Sequence, residues 1–259
     1  MKQFALALTT VLATGALAFA GSDSKDMKQV ATSTPPVSCD YTWTGFYLGA
    51  HIGYGWSTGD TSFEALPSPA AFGALETQKF SSDADGIFGG GQFGYNYQWN
   101  KLVLGFEADF SGADFNGTKH RSPIGQFGGG TTPGILTAHE DTDWFGTFRG
   151  RFGFTPVCRL LLYGTGGLAF AHTNYFANTD YFGIAYPAST DETSLGWTVG
   201  GGLEYALSQH WSVKAEYLYL DFGSKGFTGN PTPANPPFQV RYDAQNQEHT
   251  VNVGLNYKF

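Results

Sequence analysis

The sequence is poor in charge, in cysteine and in long apolar runs. Charged residues make up 14% of its 259 residues, whereas soluble proteins average about 25%, so a water-exposed fold would have little charge with which to cover its surface. Beyond the N-terminal segment, no apolar run reaches the roughly 18 to 20 residues that a membrane-spanning helix needs. The formal net charge of −8 argues against a nucleic-acid partner, which requires a basic surface.

The N-terminal segment has the pattern of an export signal. Lys2 precedes an apolar stretch that ends in the small-residue pattern of a cleavage site. We therefore expect residues 1–20 to be a secretory signal peptide. Residues 21–43 are polar, contain two prolines and have no regular period, which predicts a flexible periplasmic leader.

From residue 44 onward the sequence is rich in aromatic residues and glycine, and it alternates. Between Phe46 and Trp56, apolar side chains alternate with small or polar ones, which is the period of a strand with two different faces. Seven later segments of about 9 to 13 residues repeat the pattern, and this length suits a tilted strand that crosses a bilayer. The pattern predicts an all-β fold, an eight-stranded antiparallel up-and-down transmembrane β-barrel over residues 44–259.

The connections between these segments alternate between short and long. This rhythm is typical of outer-membrane barrels, which have short periplasmic turns and long external loops, so we expect the protein in the outer membrane of a Gram-negative bacterium. The long connections carry nearly all of the net negative charge. The short connections are 100–101, 155–159 and 208–210, and the long ones are 57–86, 111–143, 171–194 and 222–248.

Charged residues on the small face are expected inside the barrel, where charges must be paired. A three-residue turn at 208–210 would place Glu204 opposite Lys214, so that their charges pair with Glu216 nearby; a bulge would shift this register by one. We interpret the inward charges as an ion-paired filling of the lumen rather than as an acid/base catalytic pair. The remaining inward charges lie on two neighbouring segments: Glu107, Asp109, Arg149 and Arg151.

No motif indicates catalysis. The glycine-rich stretches lie within strand patterns and not before a helix, and the six histidines show no metal-binding spacing. We therefore expect no enzyme activity, no cofactor and no metal site. Cys39 and Cys158 are both expected on the periplasmic side, where they form a candidate disulfide, two free thiols being the alternative.

Five blocks of the sequence carry a family resemblance: Trp43–Gly49, Gly146–Gly153, Leu162–Ala169, Gly196–Tyr205 and Val213–Tyr219. They resemble the small outer-membrane-protein family of alphaproteobacteria, the RopB-type surface antigens. The resemblance extends from residue 43 to residue 259 and implies an eight-stranded outer-membrane barrel. It implies less about activity, since members are variously called porins, antigens and envelope-integrity proteins.

The last strand also resembles the assembly signal that the barrel-assembly machinery recognises. Its alternate positions are apolar or aromatic: Val251, Val253, Leu255, Tyr257 and Phe259. We therefore expect that machinery, together with periplasmic chaperones, to be a partner during biogenesis. Outer-membrane lipid and lipopolysaccharide are the partners expected of the finished barrel.

Three functions are compatible with these features. A structural barrel that contributes to envelope integrity and displays surface loops is favoured, because side chains can fill an eight-stranded barrel. A porin-like small-solute channel is the first alternative and needs an open lumen. Binding of haem or of a host surface by the external loops is the second.

Overall fold

The computed structural model describes residues 40–66, 78–81, 84–121, 126–127, 130–131, 134–181, 184–232 and 239–259. The predicted signal peptide and most of the leader lie outside these ranges. Within them, no helix is long and apolar enough to cross a membrane. The strands are β1 Gly45–Ser57, β2 Asp60–Leu66, β3 Gln78–Ser81, β4 Asp85–Trp99, β5 Leu102–Arg121, β6 Gln126–Phe127, β7 Gly130–Thr131, β8 Gly134–Val157, β9 Leu160–Tyr181, β10 Ile184–Ala206, β11 Trp211–Gly229 and β12 Gln239–Lys258.

Eight of these strands close into a barrel, which confirms the predicted fold. Their order is β1, β4, β5, β8, β9, β10, β11 and β12, and β12 pairs again with β1. All these pairings are antiparallel. Asn100 has a φ of 55° in the tight turn between β4 and β5, a conformation that asparagine tolerates better than most residues.

The register fixes the width of the barrel. We followed the paired residues around the barrel from Glu248 on β12 through β11, β10, β9, β8, β5, β4 and β1. The last pairing returns to β12 at Lys258. The offset from 248 to 258 is a stagger of 10 residues. For eight strands at normal spacing, this stagger gives a strand tilt of roughly 40° and a backbone radius of about 8 Å. Such an interior can be filled by side chains alone.

The outer surface of the barrel is apolar. Ile52 and Leu195 have relative exposures of 66% and 70%, which would be unfavourable across a whole surface in water. Aromatic side chains lie outward near both ends of this apolar band, as at the two interfaces of a membrane. At the end with the short turns they include Trp99, Trp211, Tyr257 and Phe259, and at the opposite end Tyr54, Trp197, Tyr217 and Tyr219.

The long connections are largely extensions of the barrel strands. The stretch expected as a loop over 171–194 is instead a hairpin, because β9 continues to Tyr181 and β10 begins at Ile184. Strands β5, β8, β11 and β12 also continue beyond the apolar band. We call this end of the barrel the hairpin end and the other the short-turn end. A bulge between Thr142 and Trp144 shifts the alternation of β8, so that Thr142 and Glu140 beyond it are buried inside, as Phe145 and Thr147 are before it.

The described end of the leader packs inside the barrel. Tyr41 and Trp43 are 4% and 2% exposed and pack with apolar side chains inside the short-turn end. The Lys258 ammonium lies 4.2 Å from the centre of the Tyr41 ring. Cys158 in the neighbouring turn is disulfide-bonded, while Cys39, the other cysteine of the chain, lies outside the described residues.

Candidate functional site in the barrel lumen

Glu107 is the centre of a buried ion network. Its side chain is inaccessible to solvent. One carboxylate oxygen lies 2.7 Å from Arg149 Nη2 and 2.8 Å from Lys214 Nζ. The other lies 3.4 Å from Arg151 Nη1 and accepts a hydrogen bond of 2.8 Å from the Tyr47 hydroxyl. Three cations from β8 and β11 therefore converge on one carboxylate of β5.

Arg149 extends the network across the lumen. Besides Glu107, it contacts Asp109 at 2.9 Å and Glu216 at 3.0 Å, and its Nε donates to the Thr147 hydroxyl at 2.8 Å. A glycine lies opposite Arg149 in the sheet: at Gly167, which pairs with Arg149, an added Cβ would lie 2.1 Å from the backbone carbonyl oxygen of Phe148. The wall is thus too close for any larger residue there.

Arg151 connects the centre to the short-turn end. Its Nη2 donates to Glu204 at 2.8 Å, and its guanidinium lies 3.9 Å from the centre of the Tyr163 ring, a cation–π contact. Glu204 also accepts hydrogen bonds from Ser212 at 2.6 Å and Asn256 at 2.8 Å. Each of its oxygens therefore has a partner, as a buried carboxylate requires.

The strand register places Glu204 opposite Lys214, as a three-residue turn would require. Their charges nevertheless do not form the expected pair. Lys214 reaches past its strand neighbour to Glu107 and lies 3.7 Å from Glu216, while Glu204 binds Arg151. The lumen brings all seven predicted inward charges into one network, but with different partners from those expected.

Several residues of the network were not singled out from the sequence. Tyr47 and Tyr163 bind its carboxylates, and His51 hydrogen-bonds to Gln92 at 2.5 Å and Ser111 at 2.7 Å beside it. All of them occupy inward positions in the period of two. A tyrosine or another polar side chain at an inward position of a strand was therefore the sequence signal by which they could have been identified.

The network leaves almost no space. A cavity beside it, lined by His51, Asp109, Arg149 and Lys214 among others, has only about 10 Å³ available to the centre of a water molecule. This is about the volume needed to hold one water.

A second, apolar layer fills the lumen on the hairpin side of the charges, where only polar filling was expected. The Phe88 ring centre lies 5.9 Å from that of Phe115 and 5.1 Å from that of Phe145. Leu218 and Leu220 of β11 pack against these rings. We call this cluster the aromatic layer. Together with the ion network and the leader residues Tyr41 and Trp43, it fills the lumen at three heights.

The predicted assembly signal faces the opposite way. The side chains of Val251, Val253, Leu255, Tyr257 and Phe259 point outward and are 37–71% exposed. Two histidines at the hairpin end lie apart from each other, and each stacks on a tryptophan. His172 stacks on Trp144 and His249 stacks on Trp56, and the His172 Nε2 lies 3.1 Å from Asp191.

Comparison with known proteins identifies the kind of barrel. The family model described as outer membrane protein beta-barrel domain matches residues 4–259. The chain belongs to this family. Its relatives include the 31 kDa outer-membrane immunogenic protein of Brucella melitensis, which is 35% identical over the full length of both chains. The 22 kDa outer membrane protein of Rhizobium leguminosarum is 28% identical, over 86% of this chain and 82% of the relative.

The chain also matches a solved structure at low sequence identity. The outer membrane protein OprG from Pseudomonas aeruginosa matches with a TM-score of 0.49 and 15% identity, over 85% of this chain and 98% of that chain. The family and the relatives establish that this is an outer-membrane β-barrel protein of a Gram-negative bacterium. Its apolar band therefore faces lipid, and the short-turn end faces the periplasm.

Proposed function

We propose that this protein is a closed structural barrel that contributes to the integrity of the outer membrane and displays its hairpins at the cell surface. The observation that carries the proposal is the filled lumen. Glu107, Arg149 and Arg151 are at most 3% exposed, and the ion pairs of Arg149 with Glu216 and of Arg151 with Glu204 cross the lumen. A permeation pathway would have to break several buried ion pairs at once, and breaking even one such pair is costly.

The second layer supports the same proposal by a different kind of interaction. The aromatic layer excludes water through close packing, and a channel would need these rings to move together. The leader residues close the short-turn end in addition. Three successive closures of different chemistry are difficult to reconcile with the porin-like alternative, which requires at least one continuous polar path.

Single-channel conductance in planar bilayers tests whether the barrel is closed. The sample should be folded protein, recognised by different migration of boiled and unboiled material on a detergent gel. We expect no discrete conductance steps from the wild-type protein. A control barrel opened at all three heights combines Glu107→Ala and Arg149→Ala, which removes one charge of each sign, with Phe88→Ala, Phe145→Ala and Trp43→Ala; when folded, it should conduct. Reproducible steps from the wild type would overturn the closed barrel in favour of the porin-like alternative.

Envelope integrity is tested in cells. A deletion strain should take up more of a hydrophobic dye and be more sensitive to detergent, and the wild-type gene should restore both properties. Unchanged permeability in the deletion strain would remove this part of the proposal without affecting the closed lumen. Lipid and lipopolysaccharide around the apolar band, and the barrel-assembly machinery and chaperones during biogenesis, are the partners that this role requires.

A further inference from the structure

Strand β12 carries an unusual column of polar side chains along one side of the lumen. Four successive inward positions, Asn246, Glu248, Thr250 and Asn252, are at most 4% exposed. Each has a side-chain oxygen with no hydrogen-bond partner among the residues that the structure describes: Oδ1, Oε2, Oγ1 and Oδ1 respectively. Buried polar atoms without partners are rare in native structures, and four in register on one strand indicate a common cause.

Glu248 is the only member of this column that can carry a charge. Its other oxygen accepts a weak hydrogen bond of 3.4 Å from the Thr142 hydroxyl of β8. The neighbouring carboxylate is Glu140, also on β8 and 7% exposed, which interacts electrostatically with Glu248. A buried carboxylate close to another one is unfavourable unless a proton or a cation compensates it.

The cations of the lumen do not compensate Glu248. Arg149, Arg151 and Lys214 are all bound to the carboxylates of the ion network, and no ion pair to Glu248 occurs among the described residues. The available donors around it are carboxylate, amide and hydroxyl oxygens. Such an all-oxygen set is the one that hard divalent cations prefer, and it lacks the nitrogen and sulfur ligands of most transition-metal sites.

We propose that Glu248 and Glu140 bind a hard divalent cation inside the hairpin end, with the side-chain oxygens of Asn246, Thr250 and Thr142 available as neutral ligands. A small cavity with about 20 Å³ available to the centre of a water molecule lies beside Glu140 and is also lined by Tyr175 and Thr61. The cation would join β8 to β12 across the lumen and thereby hold the extended hairpins. This site goes beyond the closed-barrel role and does not depend on whether the barrel conducts.

Calcium binding to the full-length folded protein in detergent micelles tests this site. After removal of metal with a chelator, equilibrium dialysis with radioactive Ca²⁺ should show one saturable ion per barrel, and Ca²⁺ should raise the temperature at which the folded band disappears on a detergent gel. In Glu248→Gln, the shape is kept and the charge is removed. Affinity should fall by roughly tenfold or more, because charged ligands dominate Ca²⁺ affinity. Glu140→Gln should weaken binding in the same direction.

The matched control is Glu192→Gln, which removes an exposed carboxylate that is paired with Lys225 at 2.9 Å; it should bind Ca²⁺ like the wild type. Equal binding by Glu248→Gln and the wild type would show that the ions sit on surface acids and would overturn the proposal. The absence of any saturable binding to the wild type would also overturn it. If the wild type binds no Ca²⁺ and Glu248→Gln is as stable as the wild type, a proton on Glu248, and not a cation, compensates the charges of Glu248 and Glu140.

Discussion

Lys214 Nζ lies 2.8 Å from Glu107 Oε1, on a strand that is not a neighbour of its own, whereas the residue directly opposite Lys214 in the sheet is Glu204. The Lys214 side chain therefore binds a carboxylate across the lumen rather than the carboxylate opposite it in the sheet. Glu204 is satisfied by Arg151 and two hydrogen-bond donors, so Lys214 is available to the centre of the network. Because Lys214 binds Glu107, removal of Lys214 takes a partner from Glu107 and not from Glu204.

Replacing Lys214 by Met should destabilise the barrel through Glu107 and Glu216. Both carboxylates keep their arginine partners but lose the ammonium, and the loss of one buried hydrogen-bonding partner costs about 1 to 3 kcal/mol. Urea unfolding of the barrel in lipid vesicles measures this cost. Lys225→Met is the control, because its side chain is 33% exposed and a surface pair contributes about 1 kcal/mol or less.

A double-mutant cycle identifies the partner of Lys214 directly. Lys214→Met should couple strongly to Glu107→Gln, because the two side chains touch, and only weakly to Glu204→Gln. Strong coupling to Glu204 instead would mean that the two strand neighbours pair in the membrane, contrary to the structure.

Phe145→Ala should destabilise the barrel without opening it. Phe145 is 1% exposed in the aromatic layer, and truncation of such a side chain costs about 3 to 5 kcal/mol. The ion network below remains intact, so no conductance steps are expected. Phe148→Ala is the control, since Phe148 faces lipid and is 55% exposed; its cost in unfolding free energy should be smaller. Conductance from Phe145→Ala alone would mean that the aromatic layer is the only effective closure.

Trp43 should be the one tryptophan shielded from lipid. The other five of the chain's six tryptophans face outward, whereas Trp43 is 2% exposed inside the short-turn end. In vesicles of brominated lipid, the fluorescence that resists quenching should therefore fall in Trp43→Phe. In the control Trp99→Phe, the quenchable part should fall instead, because Trp99 is 67% exposed. A Trp43→Phe protein that retains the full unquenched fraction would contradict the placement of the leader inside the barrel.

The architecture could be predicted because it depends on local pattern. Alternation identified the two faces of each strand, and the three-residue turn at 208–210 was sufficient to place Glu204 opposite Lys214. The ion-pair partners within the lumen could not be predicted, because they depend on which strands face each other across the closed barrel. That arrangement is determined by the stagger of 10 residues. The bulge near Trp144 has no sequence signal of its own, and it is what turns Thr142 and Glu140 inward beyond the aromatic layer.

The hairpin end has a tyrosine whose ionisation should affect stability. The Tyr242 hydroxyl donates to the carbonyl oxygen of Tyr186 and lies 2.8 Å from the Thr179 hydroxyl, so it joins β12 to β10 and β9. The side chain is inaccessible to solvent, and this burial raises the pKa of Tyr242 from its ordinary value of 10 to about 12.

Stability should therefore fall as the pH rises from about 10 to about 12, because in this window the unfolded chain loses the Tyr242 proton and the folded protein keeps it. The free energy of unfolding, compared between the wild type and Tyr242→Phe across this range, isolates the effect because the other tyrosines are common to both. The advantage of the wild type over Tyr242→Phe should be constant below pH 10 and decline above it. Thr179→Val is the control: it removes a hydrogen-bonding neighbour but no titrating group, so the decline should persist. A difference that stays constant through pH 12 would mean that Tyr242 ionises equally easily in the folded and unfolded chains and is therefore not buried as described.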